Sequence, residues 1–252
     1  MATSKETAFV TGGASGIGRA VALMLASKNI RVYIADQDEA GAESIAKETN
    51  GFYSVVDVTS WESQLAAFSR AVSLFGRVDY VFPIAGIGEN VWLPQPSSSL
   101  STAFEKPNLQ VLDVNVAGAM YTFALAIQQF RHQERNHYGF RGKVRSAGKA
   151  LLAEGITLNS FNPNAIRTNI STGSYYESLE AEGLLTPLSG VVDVCAHLLG
   201  DNEESGECFE IGPNYDRGQG FVKVKFAPLE DEAQIRVFEK LKARGAAKHH
   251  KL

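Results

Sequence analysis

The chain has 252 residues, 44% hydrophobic and 21% charged, which suits one α/β domain with an ample core and does not call for a second. A net charge of -4 and the lack of any basic run long enough to track phosphates exclude an electrostatic nucleic-acid or membrane-surface role. A small molecule is therefore the expected ligand.

Short apolar runs alternate with segments of helical period, the pattern of a parallel sheet covered by helices on both faces. The first strand is expected at Thr7-Val10. It runs into Thr11-Gly12-Gly13-Ala14-Ser15-Gly16-Ile17-Gly18-Arg19, where glycines fall at the point a strand must turn into a helix. Gly12 lets the chain reverse, Gly16 lets a phosphate approach bare backbone, and Gly18 lets the helix pack closely with its N-H groups and dipole facing the anion. A glycine-rich turn by itself is more often only a turn. Here Ile17, Ala20, Val21, Met24 and Leu25 follow at helical spacing, which supplies the context of a pyrophosphate pocket.

Further strands are expected at Arg31-Ala35, Phe52-Val56, Val78-Ile84, Ile156-Phe161 and Cys208-Ile211, with a helix on Leu65, Phe68, Val72 and Phe75. Asp36 ends the second strand, where a carboxylate accepts both hydroxyls of an adenosine ribose and repels a 2′-phosphate, favouring NAD over NADP. Helix capping is the alternative, and in Asp36-Gln37-Asp38-Glu39 it suits Asp38 better. An irregular loop over 87–107, carrying Trp92, Pro94, Pro96 and a serine triplet, is expected to be a lid or poorly ordered. A long helix follows from about Leu109 to Arg135, and a charged surface helix spans roughly Glu230 to Arg244.

Cys195 and Cys208 lack C-x-x-C spacing and read as reduced core thiols of a cytosolic protein, a disulfide being the less favoured alternative. No apolar signal segment opens the chain, no apolar run approaches membrane-spanning length, and no metal is expected, so the expected location is cytoplasmic. The terminal His250-Lys251-Leu252 leaves a peroxisomal tail as an alternative to a frayed basic end.

The spacing Thr11-Gly12-x-x-x-Gly16-x-Gly18 resembles the short-chain dehydrogenase/reductase family. The likeness continues through Ala85-Gly86, Asp113-Val114-Asn115-Val116-Ala117-Gly118, and Ile156-Thr157-Leu158-Asn159 into Pro163-Asn164-Ala165-Ile166-Arg167-Thr168. With Ile84-Ala85-Gly86-Ile87-Gly88-Glu89 it is most similar to the hydroxyprostaglandin-dehydrogenase-like branch. The resemblance implies a Rossmann-like doubly wound parallel sheet in a single domain, 1–252. It further implies NAD-dependent interconversion of a secondary alcohol and a ketone, a role in small-molecule biosynthesis, and dimerisation through the long helices. The implied cofactor site comprises Gly12, Ser15, Gly16, Ile17, Gly18, Asp36, Asp57, Val58, Ala85, Gly86, Ile166 and Thr168. Asp57 would contact adenine, though Thr59 or Ser60 capping the next helix explains the same polar cluster. Thr168 would face the nicotinamide amide. Asn115 would order a water in a proton relay, or its side chain would cap a bulge in a buried helix.

Departures from the family are equally specific. Pro83-Ile84-Ala85-Gly86 stands where the family has Asn-Asn-Ala-Gly, and no Tyr-x-x-x-Lys occurs anywhere in the chain. Aligning Arg145-Ser146-Ala147-Gly148-Lys149-Ala150 with that motif leaves too few residues before Gly155-Ile156. The preferred placement has a segment missing between about Lys143 and Val144, and with it the fifth strand, the serine, the tyrosine, the lysine and most of a helix. Strand Ile156-Phe161 is then expected to slide beside Val78-Ile84, giving six strands instead of seven. A homo-oligomer stays open, with shortened dimer helices. Tyr138, Tyr175 and Tyr176 read as packing tyrosines more than as replacements. Trp92, Leu93 and a substrate loop at 171–185 would line an apolar pocket. Three readings follow: an NAD-dependent oxidoreductase, an NAD-binding protein with impaired catalysis, and a truncated product that folds poorly.

Overall fold

The structure, a computed structural model, describes residues 5–88, 106–144, 154–213 and 221–224. Strand β1 (Thr7–Thr11) is buried along its whole length, and β2 (Arg31–Asp36) along its central four residues. Successive side chains of such strands serve opposite faces. Ala8 and Val10 join Val32 and Ile34 in one core, while Phe9 joins Tyr33 in the other. Helices α1 (Gly16–Ser27) and α2 (Glu39–Thr49) cover the first face, and α3 (Trp61–Phe75) covers the second. Asp38 and Ser60 cap α2 and α3, each accepting a bond from a first-turn N-H.

With β3 (Phe52–Val55), β4 (Tyr80–Pro83), β5 (Gly142–Val144) and β6 (Ile156–Leu158), these strands form one parallel sheet in the order β3-β2-β1-β4-β5-β6. This is the doubly wound Rossmann-like fold, with helices on both faces and six strands as expected. Its membership differs from expectation. Gly142–Val144 stands beside β4, with Tyr80 opposite Lys143 and Val81 opposite Val144, so Ile156-Phe161 does not slide into that place. The fifth position is filled because Gly142 lets the backbone close on Phe130, whose ring atoms would be 2.3 Å from a Cβ there.

The expected strand Ile156-Phe161 is divided. β6 pairs with β5, whereas β7 (Ser160–Pro163) begins a second sheet with β8 (Cys208–Ile211) and the antiparallel β9 (Val222–Lys223). Asn159 is the joint: its N-H bonds Val144 O at 3.2 Å, and its amide reaches Glu204 O and Glu207 N.

The long helix α4 runs Gln110–His132 and contains a π-helical stretch, Asp113–Gly118. Leu125, Ala126 and Phe130 pack into the second core, whereas Leu109 just ahead of it, Leu112, Val116 and Met120 are exposed. By length and composition this helix is apolar enough to cross a membrane, contrary to the expectation that no run approaches that measure. Two further helices, α5 (Gly173–Ala181) and α6 (Leu188–His197), lie between β7 and β8. Trp92, Leu93, Arg145-Ala150, Glu230-Arg244 and His250-Leu252, and most of 87–107, lie outside the described residues.

Gln64 on α3 is fully buried and ties three elements together. Its Nε2 donates to Val58 O at 2.7 Å and Gly118 O at 2.8 Å, and its Oε1 accepts from Thr122 at 2.7 Å. Gln64→Leu strips Val58 O of this donor and leaves Thr122 Oγ1 with Gly118 O alone, at 3.1 Å, and is expected to cost about 1 to 3 kcal/mol in urea unfolding. A second expectation concerns Glu204, which binds His197, Asn202 and Lys223 of β9. Burial raises its carboxyl pKa, but the bonds from Lys223, Asn202 and His197 outweigh that and lower it. A depressed carboxylate stabilises the fold above its unfolded value, and that contribution disappears as pH falls through the folded one. Thermal melts of Glu204→Gln taken down through the carboxylate range should show a flatter acid limb than the unaltered protein.

Candidate functional site

The site begins where β1 ends. Thr11 Oγ1 accepts from the N-H groups of Ile84 and Ala85 at 3.2 and 3.3 Å, drawing the chain after β4 against the turn. Gly12 has φ +69°, and a Cβ on it would lie 2.7 Å from Ala85 backbone atoms. A Cβ on Gly18 would lie 2.0 Å from the Gly12 carbonyl oxygen. Only glycine permits this convergence. Ser15 is the N-cap of α1, yet its hydroxyl makes no capping bond, and the first turn holds no acidic side chain. The result is an uncapped helix N-terminus bordered by bare backbone, which suits a phosphate group.

Around this turn lies a cleft of about 380 Å³ at the carboxyl ends of the strands, within the range of small-ligand sites. Gly12, Ser15, Gly16, Ile17 and Gly18 line its middle, Asp36, Asp57 and Val58 one end, and Ala85, Gly86 and Thr168 the other. Ile166 is the exception among the expected residues. It is buried in the first core and does not line the cleft; Thr168, Asn169 and Ile170 do so instead. Sequence reading also missed Gln37, Ile84, Ile87, Gly88, Gln110 and Val114 in the lining. No local sequence pattern marks Gly88, although a Cβ there would lie 2.9 Å from Ile170 Cγ2.

Asp36 does not cap α2. Its Oδ2 accepts from Ala14 N at 2.9 Å and its Oδ1 from Asp38 N at 3.0 Å, so the turn itself orients the carboxylate. An ionised carboxylate has about four acceptor sites, which leaves capacity for ligand hydroxyls. Asp57 Oδ1 accepts from Thr59 N and Thr59 Oγ1 at 2.9 and 2.7 Å, so the local turn role is realised at the cleft edge.

Asn115 sits inside the π-helical stretch, where extra-wide turns often mark functional positions. Its Oδ1 accepts from Ile87 N at 2.9 Å and its Nδ2 donates to Ile87 O at 3.0 Å. The amide thus joins the bulge to the chain after β4. Asn115 also lines a second recess of about 390 Å³, which shares Ile17 and Ile84 with the cleft and is otherwise mostly apolar. Among the described residues no tyrosine lines either space. Tyr80, whose phenol is pushed far above its ordinary range by burial and then by Glu6, lies at the start of β4, away from the cleft.

A glycine cradle and an acidic β2 end at the carboxyl edge of a parallel sheet define a dinucleotide-binding α/β protein. The short chain dehydrogenase family model matches residues 6–139, and the chain belongs to that family. It is 34% identical over 140 residues to the short-chain dehydrogenase/reductase ascJ of Acremonium egyptiacum, covering 53% of this chain and 45% of that one. It is 35% identical over 144 residues to the NADP-dependent dehydrogenase clz5 of Cochliobolus lunatus, covering 54% and 50%. The chain therefore spans about half the length of the curated relatives it matches. The fold is also that of the 3-ketoacyl-(acyl-carrier-protein) reductase from Brucella melitensis complexed with NADH. That match has a TM-score of 0.65 at 21% identity and covers 83% of this chain and 97% of that one.

Gly18→Ala tests the cradle. Displacing Gly12 from the added methyl is expected to cost about 1 to 3 kcal/mol in urea unfolding and to abolish the fluorescence change on adding NADH.

Proposed function

We propose that this chain binds NAD(H) in the cleft and descends from oxidoreductases that interconvert a secondary alcohol and a ketone on a small apolar substrate. The observation that carries the cofactor choice is Asp36, oriented at the cleft edge by Ala14 N and Asp38 N. Its carboxylate accepts from a free adenosine ribose and repels a 2′-phosphate. Asp57 and Val58 flank the adenine end, and the N-terminus of α1 with Ser15 takes the pyrophosphate. Ala85, Gly86 and Thr168 hold the remaining half. The nicotinamide, when bound, supplies or accepts the hydride.

Exchange at a carbinol carbon also needs a proton moved on its oxygen. Asn115, as the proton-relay residue, borders the recess where that oxygen would lie, yet the chain has no Tyr-x-x-x-Lys to feed it. Loss of a positioned general acid or base lowers rates by about 10² to 10⁴. The second reading, an NAD-binding protein with impaired catalysis, draws on the same observation that no tyrosine lines either space among the described residues. The apolar recess beside Asn115 favours an apolar substrate. Cys195 and Cys208 are not joined in a disulfide, which accords with a cytoplasmic location.

Titration with NADH and NADPH decides the cofactor reading. NADH is expected to bind more tightly, and Asp36→Ala should narrow the difference by roughly tenfold, about 1.4 kcal/mol. Equal or tighter binding of NADPH by the unaltered chain overturns it. Following NADH absorbance with a small apolar ketone then separates slow turnover from none.

A further inference from the structure

The segment Thr168–Ile170 is held between the glycine turn and the chain after β4. A Cβ on Gly16 would lie 3.1 Å from Thr168 Cγ2, and one on Gly88 would meet Ile170. The Thr168 hydroxyl has one proton and two acceptor sites. Ile170 N-H, which can only donate, takes one acceptor site at 3.3 Å.

The Tyr176 hydroxyl lies 3.2 Å from the same oxygen. Tyr176 is 4% exposed, and Thr168 Oγ1 is its hydroxyl's one hydrogen-bond partner among the described residues. A buried phenol that withheld its proton from that acceptor would leave its O-H unsatisfied, at a substantial cost. With Tyr176 as the donor of this pair, the second acceptor site of Thr168 is filled. The threonine proton has to point elsewhere, and Thr168 lines the cleft.

Tyr176 is itself well fixed. Its N-H bonds Thr172 O at 3.3 Å at the start of α5, and the Arg167 guanidinium lies 5.6 Å from its ring centroid. Arg167 is held in turn by Glu180, also on α5, at 2.8 Å.

We propose that Tyr176 is a positioning residue that makes the Thr168 hydroxyl an obligate hydrogen-bond donor toward the cleft, selecting an acceptor oxygen on the nicotinamide half of the dinucleotide. This rests on the NAD(H) reading above. With adenosine at Asp36 on β2, the far half of the ligand extends past β1 and β4 toward Thr168, which follows β7.

The test titrates NADH and ADP-ribose, which lacks the nicotinamide, into the unaltered chain and into Tyr176→Phe, Thr168→Val and the double variant. Tyr176→Phe is expected to weaken NADH about twofold to tenfold and to leave ADP-ribose unchanged. Added to Thr168→Val, it should change nothing further. No loss in Tyr176→Phe, an equal loss for both ligands, or additive losses in the double variant overturns the proposal. Thr168→Ser keeps the hydroxyl beside Tyr176 and should bind NADH as the unaltered chain does. If Tyr176→Phe does not fold, weakened NADH binding by Thr168→Ser is the overturning result. Failure of the unaltered chain to bind either ligand overturns the NAD(H) reading, and this inference with it.

Discussion

At the end of β1 three stretches of backbone come closer together than any side chain permits. The Gly12 carbonyl faces Gly18, Gly12 itself faces Ala85, and Thr11 pins the chain after β4 through two N-H groups. The cleft exists because of this convergence. It brings the uncapped start of α1, the Asp36 carboxylate and the 84–88 segment around one space. The same contact seats α1 on the sheet, where Val21, Ala22 and Leu25 are buried against Ala8, Val10 and Ile34. Local geometry and core packing are thus one constraint, and hydrophobic burial in the two flanking cores maintains it.

Binding and proton transfer draw on different parts of the chain. The cleft is lined by residues before Gly118 together with the short run after β7. In the family, the oxygen chemistry belongs to a tyrosine and lysine whose motif this sequence lacks. A cleft of this kind can retain nucleotide affinity while losing rate, because affinity depends on hydrogen bonds and shape whereas rate depends on a group placed for the transition state.

Much of this was legible in the residues because period and punctuation agree there. The apolar runs of β1 to β4, the glycine turn, the capping by Asp38 in place of Asp36, and the bulge at Asn115 all carry local signals. β5 carries none. Three residues show no periodicity, and Lys143 at its centre reads as polar although it is buried, with its ammonium bonded to Asn202 O. Gln64 looks like a surface position on α3 until α4 packs over it. The division of the late strand at Asn159 depends on the 204–207 segment, far away in the chain, so no local pattern marks it. After Pro163, Ile166 packs in the first core while Thr168, Asn169 and Ile170 line the cleft, a division that only packing shows.

The wide turn in α4 sets the angular relation between two duties of one helix. Upstream, Asn115 must meet Ile87; downstream, Leu125, Ala126 and Phe130 must meet the sheet. Inserting or deleting a single residue in the ordinary α-helical turns between Gly118 and Leu125 would swing one end relative to the other by about 100°. Either the core face or the link to Ile87 would be lost. Insertions and deletions in this interval are therefore not interchangeable with point changes, and drift in the length of the helix is confined to its outer ends.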